Sequence, residues 1–113
     1  MNKLIILISL FMSIYTTNIL AEIKIGVILG FTGPIETLAP SMAESAELAF
    51  KEATDSGLLL KGETIRVIKA DSTCTDPDAA IIAAESVISE GAKAIIGAVC
   101  PKITKAILLN SVI

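Results

Sequence analysis

The sequence predicts an α/β fold: a parallel sheet with helices on both faces, three layers deep, in the order βαβαβα. Three observations predict it. Short β-branched runs alternate with stretches of helical period. The runs are rich in Ile and Val, and the third, Ala94-Ile95-Ile96, is fully apolar, as strands buried on both faces are. Gly, Pro and Asp stand at the joints between them. Strands that alternate with helices form parallel sheets with right-handed crossovers.

The first strand is read at Ile23-Lys24-Ile25-Gly26-Val27-Ile28-Leu29, followed by the turn-rich Gly30-Phe31-Thr32-Gly33-Pro34. A helix follows. Ser41 stands three residues before Glu44, the spacing of a capping box. Met42, Ala46, Ala49, Phe50 and Ala53 fall on one predicted face. Ser56-Gly57 stops it, with a start near Leu38 also compatible with the pattern. Thr64 to Ala70 reads as the second strand, and Asp71 to Thr75 as a polar loop holding Cys74. Asp76-Pro77-Asp78 predicts a helix start: a capping carboxylate, a proline at the first helical position, and a second acid at the positive dipole end. That helix runs through Ala80, Ile81, Ala84, Val87 and Ile88 to Gly91. Ala94-Ile95-Ile96 is the third strand and Gly97–Pro101 the loop after it. A third helix occupies the stretch from Ile103 to Val112 and is still apolar at Leu108, Leu109, Val112 and Ile113. Three strands are few for such a sheet, so the chain is expected to be a fragment that folds poorly alone.

The 113 residues leave room for one small domain. Met1 to Ala21 reads as a secretory leader. Lys3 supplies its positive end, Leu4 to Tyr15 its apolar core, Thr16-Thr17-Asn18 its polar region and Ala21 the small residue before cleavage. Ile19 at the −3 position is larger than the usual residue. The competing reading is an uncleaved anchor; a spanning helix wants about 20 apolar residues, more than this core offers. No cysteine stands directly after the apolar run to carry a lipid. Residues 22–113 keep all twelve acids and eight of the nine basic residues, a net charge of −4 that argues against nucleic acid.

Cys74 and Cys100 both lie after the leader. Export to an oxidising compartment favours a disulfide; two buried free thiols are the alternative. With no His and two Cys, a zinc site has too few soft ligands. Gly26, Gly30 and Gly33 are spaced GxxxGxxG rather than GxGxxG, and Pro34 stands where a helix should open on phosphates. Asp71 could imitate the ribose-binding acid of a nucleotide-binding enzyme, but at too great a separation. Asp71, Asp76 and Asp78 lack the Gly turn and terminal Glu of a calcium loop. No nucleophile–base arrangement is visible. No enzyme, metal or cofactor is therefore expected. Ligands of open parallel sheets bind at the carboxyl ends of the strands, here the loops 30–40, 71–77 and 97–101. A bond between Cys74 and Cys100 would tie the second of these to the third and rigidify that edge.

Together, Ile23-Lys24-Ile25-Gly26-Val27, Thr32-Gly33-Pro34, Ala46-Glu47-Leu48-Ala49, Ala70-Asp71-Ser72-Thr73-Cys74 and Ile96-Gly97-Ala98-Val99-Cys100 resemble the branched-chain amino-acid binding proteins of ABC importers. These have the type I periplasmic binding fold, two α/β lobes that close on a ligand. The resemblance implies a partial first lobe over residues 22–113 and a Cys74–Cys100 disulfide. It implies ligand contacts at Leu38, Val99, Cys100 and Pro101. It also implies a periplasmic, monomeric parent that binds a small solute, serves an inner-membrane permease and catalyses nothing. Where many relatives carry Ser after the second Cys, this chain has Pro101, which offers neither hydroxyl nor N–H. Either the pocket is altered there, or Pro101 simply opens the third helix. The sensor domain of a receptor with the same fold is the alternative function.

Overall fold

The computed structural model describes residues 21–59 and 62–111. The leader, apart from Ala21, lies outside the described residues, as do Val112 and Ile113. Six elements follow one another: β1 (Glu22–Leu29), α1 (Ala39–Asp55), β2 (Thr64–Asp71), α2 (Pro77–Ser89), β3 (Ala94–Gly97) and α3 (Pro101–Ser111). The strands form one parallel sheet in the order β2-β1-β3. No helix among the described residues is long and apolar enough to cross a membrane.

β1 is the middle strand, and alternate side chains along a strand point to opposite faces. Val27 and Leu29 face Ala39 and Ala43 of α1 on one side. Ile28 faces the other way, into a larger cluster with Ala80, Ala84 and Val87 of α2 and Ile103 and Ile107 of α3. One helix on one face and two on the other give the three layers expected from the sequence. Small alanines at the contact let the helices approach closely. Ile28, Val87 and Ile103 supply the bulk, each fully buried. Burying such a side chain contributes about 1.5–3 kcal/mol.

The predicted start of α2 is the observed one. Asp76 has extended backbone, and its carboxylate accepts from the N–H groups of Asp78 at 2.9 Å and Ala79 at 3.4 Å, with Pro77 in the first turn. The start of α1 differs from the capping-box reading. The helix begins at Ala39, Leu38 occupies the N-cap position without a side-chain cap, and Ser41 already lies inside the first turn. The Ser41 hydroxyl donates to the Leu38 carbonyl instead, at 2.9 Å. The earlier start also moves the buried stripe. It runs through Ala39 and Ala43 to the half-buried Ala46, Phe50 and Ala53, and leaves Met42 and Ala49 exposed.

The two edges of the sheet differ. β2 carries Arg66 and Lys69, which pair with Glu22 at 3.8 Å and Glu47 at 2.9 Å. Exposed pairs of this kind contribute little to stability, but charge on an edge strand discourages pairing with other chains. β3 is Ala-Ile-Ile-Gly without charge, and Ile96 is 45% exposed.

Candidate ligand-binding rim

The carboxyl ends of all three strands lie on one edge of the sheet, because the strands are parallel and in close register. Leu29 stands opposite Asp71, and Ile28 opposite Gly97. The three loops that leave this edge are joined to one another by two side-chain devices and by several backbone bonds.

The first device is Asp71, the last residue of β2. Its carboxylate accepts from the Thr32 hydroxyl at 2.5 Å and the Thr32 N–H at 3.2 Å, both from the loop after β1. It also accepts from the N–H of Thr73 at 2.8 Å. Partial burial alone would raise the Asp71 pKa. The hydrogen bonds from the Thr32 hydroxyl and from the backbone N–H groups of Thr73, Thr32 and Phe31 outweigh that and hold it below its ordinary value. Asp71 is thus an anion engaged by its own chain. Gly33 completes the approach: a Cβ there would stand 2.4 Å from the Thr73 carbonyl oxygen.

The second device is the bond between Cys74 and Cys100, whose Cα atoms are 5.6 Å apart across 26 residues of sequence. It joins the loop after β2 to the residue that precedes α3. Backbone bonds add to it. Ser72 N–H donates to the Leu29 carbonyl at 2.8 Å, and Ala98 N–H donates to the Ile28 carbonyl at 2.7 Å. The Thr104 hydroxyl donates back to the carbonyls of Ala98 and Cys100. Ser72 is fully buried beneath the rim.

Thr73, Cys74 and Ala98 have left-handed backbone, with φ of 55°, 64° and 51°. Among the described residues they are the non-glycine positions with positive φ, and all three lie on this rim. Left-handed backbone costs roughly 1–3 kcal/mol at a non-glycine residue, and it gathers at functional sites where surrounding structure holds it. Here Asp71 holds Thr73, the disulfide holds Cys74, and bonds with the Ile28 carbonyl and the Thr104 hydroxyl hold Ala98.

The sequence-predicted contact residues occupy this edge without forming one closed pocket. Leu38 heads α1 and is 59% exposed, and Val99 is 50% exposed in the loop after β3. Cys100 is half-buried in its disulfide, and Pro101 is the first residue of α3. Two apolar side chains thus stand uncovered on the edge where parallel sheets bind ligands. A groove of about 320 Å³ lies between α1 and the end of β2, lined by Phe31, Pro40, Ala43, Glu44, Lys69, Ala70 and Asp71, and neither Leu38 nor Val99 lines it. Sequence reasoning missed Thr32, whose partner is a carboxylate 39 positions away, and Thr104, whose partners are nearby backbone carbonyls. It weighed Asp71 in other roles. A threonine in a Gly-Phe-Thr-Gly turn, set against an acid at the next strand end, is the signal that was available.

Comparison with known proteins agrees with this architecture. A family model described as periplasmic binding protein matches residues 22–108. The Leu/Ile/Val-binding protein of Escherichia coli (strain K12) is 30% identical over 84 residues, which are 74% of this chain and 22% of that protein. The Leu/Ile/Val/Thr-binding protein of Salmonella typhimurium (strain LT2) is similar to the same extent. The crystal structure of a possible leucine/isoleucine/valine-binding protein from Rhodopirellula baltica SH 1 superposes with a TM-score of 0.73 at 20% identity, over 84% of this chain and 26% of that one. The chain therefore spans about a fifth of the length of the curated relatives it matches. Over that span the family match, the parallel three-stranded sheet and the ordered elements agree, and the chain belongs to the periplasmic binding protein family, whose members bind solutes and are not enzymes.

Proposed function

We propose that residues 22–113 are part of the first lobe of a periplasmic solute-binding protein. It captures branched-chain amino acids or similar small polar solutes and delivers them to an inner-membrane ABC permease. In this reading Met1–Ala21 directs export and is removed. The observation that carries the proposal is the rim itself: three loops at the carboxyl edge of a parallel sheet, bound together by Asp71 and by Cys74–Cys100. A pre-organised edge loses little freedom when a ligand settles on it.

Each part of the rim has a role in that reading. Leu38 and Val99 offer apolar surface to an aliphatic side chain. The first turn of α3 offers N–H groups and the positive dipole end to a carboxylate. Pro101 removes one donor from that turn. A second lobe supplies the opposing surface, and the ligand selects the closed state by touching both lobes.

A chimera tests this. Residues 22–108 replace the matching segment of a Leu/Ile/Val-binding relative, and titration calorimetry follows leucine, isoleucine and valine. The proposal expects saturable binding of at least one of them. A folded, oxidised chimera that binds none of the three, beside a parent that binds, refutes the assignment of ligand class.

A further inference from the structure

We propose that Asp71 is the positioning residue of the rim: through Thr32 it fixes the first loop to the second, and through Thr73 it sets the turn that presents Cys74 to Cys100. The proposal rests on the reading of this rim as the ligand-facing edge. It goes beyond that reading by naming the group on which the arrangement depends.

The geometry gives a continuous path. Thr32 donates twice to Asp71, from its hydroxyl at 2.5 Å and its N–H at 3.2 Å. Asp71 receives the Thr73 N–H at 2.8 Å. Thr73 and Cys74 are both left-handed, which turns the chain toward Cys100. The turn is tied further by Cys74 N–H to the Ser72 carbonyl at 2.7 Å and by Asp76 N–H to the Thr73 hydroxyl at 3.2 Å. Cys74 is bonded to Cys100, and Pro101 then opens α3. One carboxylate therefore bonds the first loop to the second, and the disulfide carries the connection on to the third. Two successive non-glycine residues hold left-handed backbone only if something favours that state over the extended one. A charge-assisted hydrogen bond to the N–H of the first of them does so.

Asp71 faces few other charges. Lys69, from its own strand, and Glu44, from α1, line the same groove. Lys69 is engaged by Glu47 at 2.9 Å. The donors that stabilise the anion are the threonine hydroxyl and the backbone N–H groups. Protonation of Asp71 removes the charge from every one of those bonds at once, which gives the arrangement a pH signature that packing alone lacks.

The test is amide hydrogen exchange, followed by NMR, on the oxidised full chain. Wild type is compared with Asp71→Asn and Thr32→Val, with the β1 amides as the internal measure of global stability. In Asp71→Asn, protection at Thr32 and Thr73 is expected to fall about tenfold, the size of one charge-assisted bond. In Thr32→Val, protection of the first loop falls while that of Thr73 stays. In wild type, protection at both threonines declines together as the pH drops through the lower carboxylate range. In Asp71→Asn the same profile is flat. Should Asp71→Asn also lose protection in β1, the Thr32→Val pair of readouts decides alone. Unchanged exchange at the first loop in Thr32→Val, or a pH profile that survives Asp71→Asn, overturns the proposal. Failure of the leucine chimera with this pattern intact would instead count against the ligand reading.

Discussion

The carbonyl oxygen of Ile28 lies 2.0 Å from the place a Cβ on Gly97 would occupy. The same oxygen accepts the N–H of Ala98 at 2.7 Å, so β3 leaves the sheet by folding tightly over the end of β1. Gly97 has φ of 122°, a conformation open to glycine. Gly97→Ala is expected to lower stability by about 3 kcal/mol, the upper end for such backbone strain. Gly57→Ala is its control. Gly57 also has positive φ, but a Cβ there meets nothing within 4 Å, so its cost is about 1–2 kcal/mol. Urea denaturation of the oxidised chains measures both, and equal losses would contradict the steric argument.

The disulfide closes a loop of 26 residues. In the chain-entropy account this stabilises the fold by about 3.5 kcal/mol. Reduction, or the Cys74→Ala and Cys100→Ala pair, is expected to lower the urea midpoint accordingly. The reduced wild type and the double variant should coincide. A midpoint indifferent to reductant would count against the bond.

Asp76 and Ser41 separate a true helix cap from an apparent one. Asp76→Ala removes the acceptor for two N–H groups of α2 and is expected to cost about 1 kcal/mol. Asp76→Ser should recover most of it. Ser41→Ala removes only a donor to the Leu38 carbonyl and should stay within about 0.5 kcal/mol of wild type. Thermal unfolding of the three variants distinguishes them.

Stability should also depend on pH through Asp71. Its folded pKa is held below the unfolded one, chiefly by the Thr32 and Thr73 donors working against burial. The contribution is complete above the ordinary carboxylate pKa and is lost as the pH falls through the lower, folded value. Urea titrations at falling pH should therefore show a decline that is shallower in Asp71→Asn. Parallel curves would argue against it.

Pro101 yields a prediction about affinity. It is the first residue of α3, a position that suits proline and lacks an intrahelical partner in any case. Pro101→Ser in the chimera restores a hydroxyl and an N–H at the rim. If a ligand carboxylate sits there, each restored bond is worth about 1.5–3 kcal/mol. Leucine affinity should then rise at least about tenfold in calorimetry. No change would mean that Pro101 serves only the helix.

Much of this architecture is legible in the sequence, for identifiable reasons. Asp76-Pro77-Asp78 states a helix start in three adjacent residues, and the structure places it there. The strands announce themselves through short runs rich in Ile and Val, although Lys24, Arg66 and Lys69 interrupt them. Ser41 and Glu44 satisfy a local capping pattern but do not begin α1; the start near Leu38 that the sequence also allowed is the observed one, and the contact there is Ala39 and Ala43 on Val27 and Leu29. That is tertiary information. The Asp71–Thr32 bond spans 39 positions and leaves no periodicity to detect. The left-handed backbone at Thr73, Cys74 and Ala98 is equally silent, since none of the three is the glycine that such a conformation usually announces.

The central place of β1 bears on the order of assembly. Its first residue pairs with Thr64 and Ile25 to Ile28 with Ala94 to Gly97, so the first of the strands to be made finds no strand partner until β2 has been synthesised. Every rung of the sheet joins distant parts of the chain, and closing such long loops slows folding. A nascent polypeptide with this topology stays open until most of it exists, the condition in which a chain can still be threaded through a narrow channel.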